Sequence, residues 1–110
     1  MSVKYIYIAG PYTEGVVKEN VAEAIKAASI IQMEGYVPFI PHLNYYWHEL
    51  YPLNYEDWMQ YDFAWLARCD AILRLPGYSP GAEREVQRAA DLGIPVFYGL
   101  ADLLANAANI

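Results

Sequence analysis

The segment "DAILRLPGYSPGAEREVQRAADLGIPVFYGL", Asp70 to Leu100, decides the fold. It opens with a short apolar run, passes through a Pro-Gly turn, and ends in a second apolar run. Ser79 followed by Pro80 marks a helix start, a side-chain cap with proline in the first turn. The helix is expected to run to Leu92, with Gly93 closing it. Strand, helix and strand within so few residues predict a parallel pair joined by a right-handed crossover.

The same alternation extends outward in both directions. "KYIYIAG", Lys4 to Gly10, reads as a buried strand that ends in a Gly-Pro turn. The stretch from Gly15 to Gly35 repeats apolar residues at helical spacing, through Val17, Val21, Ala24, Ile25, Ala28 and Ile31. "YVPFIPH" is a short strand whose prolines favour a sheet edge. Residues His42 to Asn54 read as a long aromatic loop. A helix capped by Asn54 follows, through about Arg68. The tail from Ala101 to Ile110 reads as a short helix.

Composition bounds the function. The chain has 110 residues, 56% of them hydrophobic, and no repeat or linker, so residues 1–110 are expected to form one domain. Its net charge of −6, with seven Lys plus Arg, offers no basic stripe for nucleic acid or an anionic membrane. No apolar run approaches the ~20 residues of a membrane span, and nothing reads as a signal peptide. A cytoplasmic protein with a small-molecule partner is the expectation. Cys69 is the one cysteine and reads as a small buried hydrophobe. His42 and His48 lack metal-site spacing and read as structural, so neither metal nor cofactor is expected.

In open parallel sheets ligands bind beyond the carboxyl ends of the strands. Here those ends are "AGPYTEG", "PHLNYYW", "LPGYSPG" and "YGL". Two carboxylates break the pattern of the nearby helices. Projected at about 100° per residue, Ala82, Val86, Ala89 and Leu92 share an arc that Glu85 edges into. On the preceding helix, Asp62 sits amid Tyr55, Trp58, Met59, Trp65 and Leu66. A buried ionised carboxylate is costly unless paired. Capping or pairing with an Arg such as Arg74 explains one such residue. Two beside one strand favour a shared polar site fit for acid/base or nucleophilic work.

"IYIAGPYT" together with "YDFAWLARCDAILRLPGYSPGAEREVQRAADLGIPV" resembles the nucleoside 2-deoxyribosyltransferase superfamily, which includes 2'-deoxynucleoside 5'-phosphate N-hydrolases. The resemblance implies an α/β, flavodoxin-like (Rossmann-like) three-layer sandwich with a four- or five-stranded parallel sheet. It implies that Glu85, six positions after Ser79, is the nucleophile toward the anomeric carbon of a deoxyribosyl group. It implies that Tyr7 orients that glutamate. Asp62, eight positions before Asp70, would bind the nucleoside and relay a proton to the departing base. The sugar would pass to another free nucleobase or to water. Gly10, Pro11, Tyr12, Ser79 and Gly81 would line the substrate site, with Trp47, Trp58, Tyr12 or Tyr46 stacking on the base. A homo-oligomer is implied, in which a neighbour's tail, through Asn106 or Asn109, completes the site.

The sequence departs from that pattern in two places. Phosphate-specific members carry a Ser and an Arg in the first loop, where this chain has "GPYTEGVVK". Thr13 and Lys18 stand there with no Arg, and Glu14 disfavours an anion, leaving Ser79 as a phosphate contact. A Gly two positions before the nucleophile is replaced by Glu83, expected to narrow or charge the approach. Two other readings stand beside catalysis: a nucleotide-binding module without turnover on the same fold, and an oligomer interface built from residues 42 to 58.

Overall fold

A computed structural model describes residues 3–110. Strand β1 (Tyr5–Ala9) leads to helix α1 (Val17–Met33) and strand β2 (Val37–Phe39). A 3-10 turn (Pro41–Leu43) runs into α2 (Asn44–Leu50), then α3 (Tyr55–Leu66) and β3 (Ala71–Arg74). Helix α4 (Pro80–Asp91), β4 (Val96–Tyr98), α5 (Leu100–Ala105) and a final 3-10 turn (Ala107–Asn109) complete the order.

The four strands form one parallel sheet in the order β2-β1-β3-β4. Tyr7 pairs with Phe39 on one side and Ile72 on the other, and Leu73 pairs with Phe97. Alternation along β1 assigns its side chains to two cores. Ile6 and Ile8 pack with Ala24, Ala28 and Ile31 of α1 and Leu103 of α5. Tyr7 and Ala9 face the other way, against Leu66 of α3 and Ala82 and Ala89 of α4. Each fully buried aliphatic side chain contributes roughly 1.5–3 kcal/mol, so these two layers fix the sheet between them.

The expected caps are present. Asn54 accepts the Asp57 N–H at 2.8 Å, and Ser79 accepts the Ala82 N–H at 3.1 Å. β2 is a three-residue edge strand containing Pro38, as its prolines require.

Three expectations need correction. The aromatic loop of residues 42 to 54 is mostly the 3-10 turn and α2, and only 51 to 54 are irregular. α2 has no buried residue and no side-chain cap. A helix without an inward face leaves no 3.6-residue period to read. Tyr55 and Trp65 are exposed, so the apolar face of α3 narrows to Met59 and Leu66. Leu92 and Ile25 are exposed as well: α4 buries Ala82 and Ala89, and α1 buries Ala24, Ala27, Ala28 and Ile31 against the sheet.

Candidate functional site

The order of the strands reverses direction between β1 and β3, and this switch point opens a crevice at their carboxyl ends. A cavity of about 730 Å³ lies there. Its walls come from the β1–α1 loop, the 3-10 turn, α2, α3 and the start of α4. Gly10 lets β1 approach β3 closely, since a Cβ there would stand 3.0 Å from the Leu75 Cβ.

Glu85 lines this cavity yet is only 6% exposed. Its carboxylate accepts the hydroxyl proton of Tyr7, which is fully buried on β1. Burial pushes the Glu85 carboxyl up to about 8; the Tyr7 hydrogen bond opposes the rise and the Asp62 charge adds to it. Asp62, half-buried on α3, lines the same cavity, and burial pushes it up to about 7. Its Oδ1 is buried without a hydrogen-bond partner. The Tyr7 hydroxyl is held well above its usual value, by burial first and then by Glu85 and Asp62. Two carboxyls with raised proton affinity in one crevice suit a division into nucleophile and acid.

Gly10, Tyr12, Trp58, Ser79 and Gly81 line the cavity with them. Tyr7 stands behind Glu85 rather than on the wall. Pro11 and Trp47 do not line it, contrary to expectation. Pro11 borders a smaller cavity beside α1, because the chain crosses the top of the sheet at Gly10 and Pro11. Trp47 of α2 packs on α3, half exposed, with its ring 5.1 Å from Trp58 and 5.5 Å from Tyr61. Tyr46 is exposed at 71% and is not on the wall either.

Arg74 answers the question of pairing differently from the sequence. It is 7% exposed and binds Glu83 at 2.8 Å, with further bonds to the carbonyls of Leu75 and Gly77. Glu83 is drawn onto this guanidinium and does not line the cavity, so it does not narrow the approach to Glu85. The pair braces the β3–α4 turn that carries Ser79. Asp70 accepts the Tyr5 N–H at 2.7 Å, a backbone role far from the cavity. Asn106 bonds to Asp102 of its own helix, at 2.8 Å to the carbonyl and 2.9 Å to Oδ1.

Several wall residues escaped the sequence reading: Asn44, Tyr45, Glu49 and Tyr55, together with both histidines. They follow the carboxyl end of β2, where the topological rule already pointed. His48 is structural: its Nδ1 accepts the Trp58 indole N–H at 2.7 Å and the Leu53 N–H at 3.2 Å. His42 combines two roles. Its Nε2–H donates to the carbonyls of Gly10 and Pro11 at 3.3 and 3.1 Å, pinning the β1 turn. Its Nδ1 is buried without a partner, and burial lowers the ring's pKa. Among the described residues no three His, Cys, Asp or Glu side chains gather as a metal site, and no helix is long and apolar enough to cross a membrane.

Comparison with known proteins places this architecture. Residues 4–99 match the family described as "Domain of unknown function (DUF7768)". No curated protein matches the chain. Among solved structures it is similar to a 2-deoxyribosyltransferase from Bacillus psychrosaccharolyticus, with a TM-score of 0.64 and 21% identity over 86% of this chain and 70% of that one. It is also similar to a 2-deoxyribosyltransferase from Leishmania mexicana, with a TM-score of 0.64 and 24% identity over 86% of this chain and 63% of that one. The chain spans about two thirds of the length of either. It therefore belongs to the DUF7768 family and carries the fold of the 2-deoxyribosyltransferases, the superfamily its sequence resembles.

Proposed function

We propose that this protein cleaves the N-glycosidic bond of a 2'-deoxynucleoside through Glu85. The carboxylate attacks the anomeric carbon and forms a C–O bond. The C–N bond breaks, its electron pair leaves with the base, and Asp62 delivers a proton to that base. A second base, or water, then gives a proton back to Asp62 and bonds to the anomeric carbon, the C–O bond to Glu85 breaks, and the Glu85 carboxylate is restored. The observation that carries this reading is the convergence of Glu85 and Asp62 on one crevice, with Tyr7 hydrogen-bonded behind the nucleophile. The solved structures of similar fold, named as 2-deoxyribosyltransferases, support the reaction class.

The test is an incubation of the protein with pooled 2'-deoxynucleosides and their 5'-monophosphates, with and without a free acceptor base, followed by chromatography. A new nucleoside only with acceptor identifies a transferase. Free base without acceptor identifies a hydrolase. Glu85→Gln, which keeps the side chain's shape, is expected to release no base. A Glu85→Gln protein as active as wild type overturns the assignment.

A further inference from the structure

The charge of the cavity wall carries an inference about what enters it. Four acidic side chains line it: Glu14 and Glu49, both exposed, and Asp62 and Glu85, which share one proton in the proposed reaction. Among the described residues no Lys or Arg lines it. The cations nearest by sequence and fold are already engaged. Arg74 is held by Glu83 and two carbonyls, and Arg84 forms a two-pronged pair with Glu56 at 2.9 Å in each arm. Lys18 lies in the first turn of α1, next to Val17, and is not on the wall.

Glu14 and Glu49 occupy different walls and are both exposed. Glu14 is placed by Asn20, whose side-chain amide donates to the carbonyls of Tyr12 and Glu14 at 2.9 and 2.8 Å. This folds the β1–α1 loop so that Thr13 and Glu14 border the cavity. Glu49 projects from α2 beside Tyr45, whose hydroxyl its carboxylate holds above the usual value. Burial raises the Tyr12 hydroxyl first, and Tyr45, Glu49 and Asp62 add to the rise, so these groups share one electrostatic environment.

The helix start that would ordinarily welcome an anion is depleted of donors. Pro80 has no N–H to give, the Ala82 N–H is taken by the Ser79 hydroxyl and the Glu83 N–H by the Ser79 carbonyl, which leaves the Gly81 N–H. Glu83 adds an acidic group to that first turn. Three buried polar atoms without partners lie on residues of the cavity wall: the His42 Nδ1, the Asn44 amide nitrogen and the Asp62 Oδ1. The Asn44 N–H would serve any acceptor, and the His42 Nδ1 lone pair calls for a donor. His42 is 4% exposed, and its one N–H is already given to two carbonyls. It offers a ligand an acceptor, which a phosphate cannot use.

We propose that Glu14 and Glu49 form an anionic gate that restricts this site to unphosphorylated nucleosides and rejects their 5'-phosphates. Like-charge juxtaposition of a phosphate with such a wall is strongly unfavourable, and its range is set by screening. The proposal rests on the nucleoside reading of the same cavity, and binding separates the two.

The experiment measures binding of the four common 2'-deoxynucleosides and their 5'-monophosphates to the Glu85→Gln protein by calorimetry. It also measures base release by the wild type. At least a tenfold preference for a nucleoside over its monophosphate is expected, shrinking as salt rises. The double variant Glu14→Lys, Glu49→Lys is expected to reduce that preference at least tenfold. The variant Glu14→Gln, Glu49→Gln, a milder change should the reversal unfold the protein, is expected to reduce it by a smaller factor. Equal or tighter binding of monophosphates by the unaltered gate overturns the proposal, as does a preference unmoved by both double variants. Selective nucleoside binding without base release would sustain the gate and overturn only the catalytic reading. Binding of neither ligand overturns both.

Discussion

The Tyr7 hydroxyl of β1 donates to the Glu85 carboxylate of α4, joining groups 78 residues apart in the chain. Tyr7 is fully buried and Glu85 nearly so. The bond favours the ionised form of a carboxyl that burial otherwise keeps protonated. Tyr7→Phe is therefore expected to raise the Glu85 pKa further and to slow base release about 10- to 100-fold, from the roughly 1.5–3 kcal/mol of a hydrogen bond to a charged group. The check is the pH–rate profile: its acidic limb should move to higher pH, while circular dichroism stays unchanged.

The proposed reaction needs Glu85 ionised and Asp62 protonated, which is one of the two singly protonated forms of the pair and, with Glu85 the more basic, the less populated one. With Asp62 near 7 and Glu85 near 8, the two titrate as a unit. A narrow bell in kcat/KM is expected, with its maximum between pH 7 and 8. Asp62→Asn should remove one limb and lower the rate strongly. A variant that loses only melting temperature would make Asp62 structural.

Stability should also depend on pH through Glu85. Its folded pKa, about 8, lies above the ordinary carboxyl value of 4.5. Below the ordinary value both states hold the proton, and the folded state keeps its full stability. As pH rises from there to about 8, the unfolded chain ionises first and stability is lost. Glu85→Gln has no such group and should gain on the wild type steadily over that window, by several degrees in Tm at its upper end. Thermal melts at pH 5 and pH 8.5 decide it; parallel curves would refute the linkage.

Arg74 braces the turn that presents Ser79. Arg74→Met leaves the carbonyls of Leu75 and Gly77 without their donors and Glu83 without its partner. A loss of about 2–4 kcal/mol is expected, read by urea unfolding. Glu83→Gln, altering a side chain that is 63% exposed, should cost much less.

Gly77 has φ of +115°, and a Cβ there would come 2.8 Å from the Pro11 Cγ. Gly77→Ala should destabilise the protein by more than about 1 kcal/mol, since both strain and contact oppose it. Because this turn precedes Ser79, turnover should fall along with the melting temperature.

Much of this protein is written in local signals. The Ser79-Pro80 start, the Asn54 cap and the alternation of strand and helix each rest on neighbours in the chain, and they fixed the parallel α/β architecture. Glu85 and Asp62 were legible because an ionisable residue on an apolar face breaks a helical period. The family resemblance paired Tyr7 with Glu85, and the tertiary structure alone decided what Asp62 and Arg74 meet. The period of α4 cannot report that Arg74 turns to Glu83 and leaves Glu85 to Tyr7, because three elements must pack before the choice exists. Helix α2 was invisible for a related reason: it buries nothing, so no pattern marks it. Its Tyr45 and Glu49 reach the cavity only because α2 follows the 3-10 turn at the mouth of β2. The charge of the cavity is likewise a sum over four separate stretches of chain, brought together by the switch point between β1 and β3.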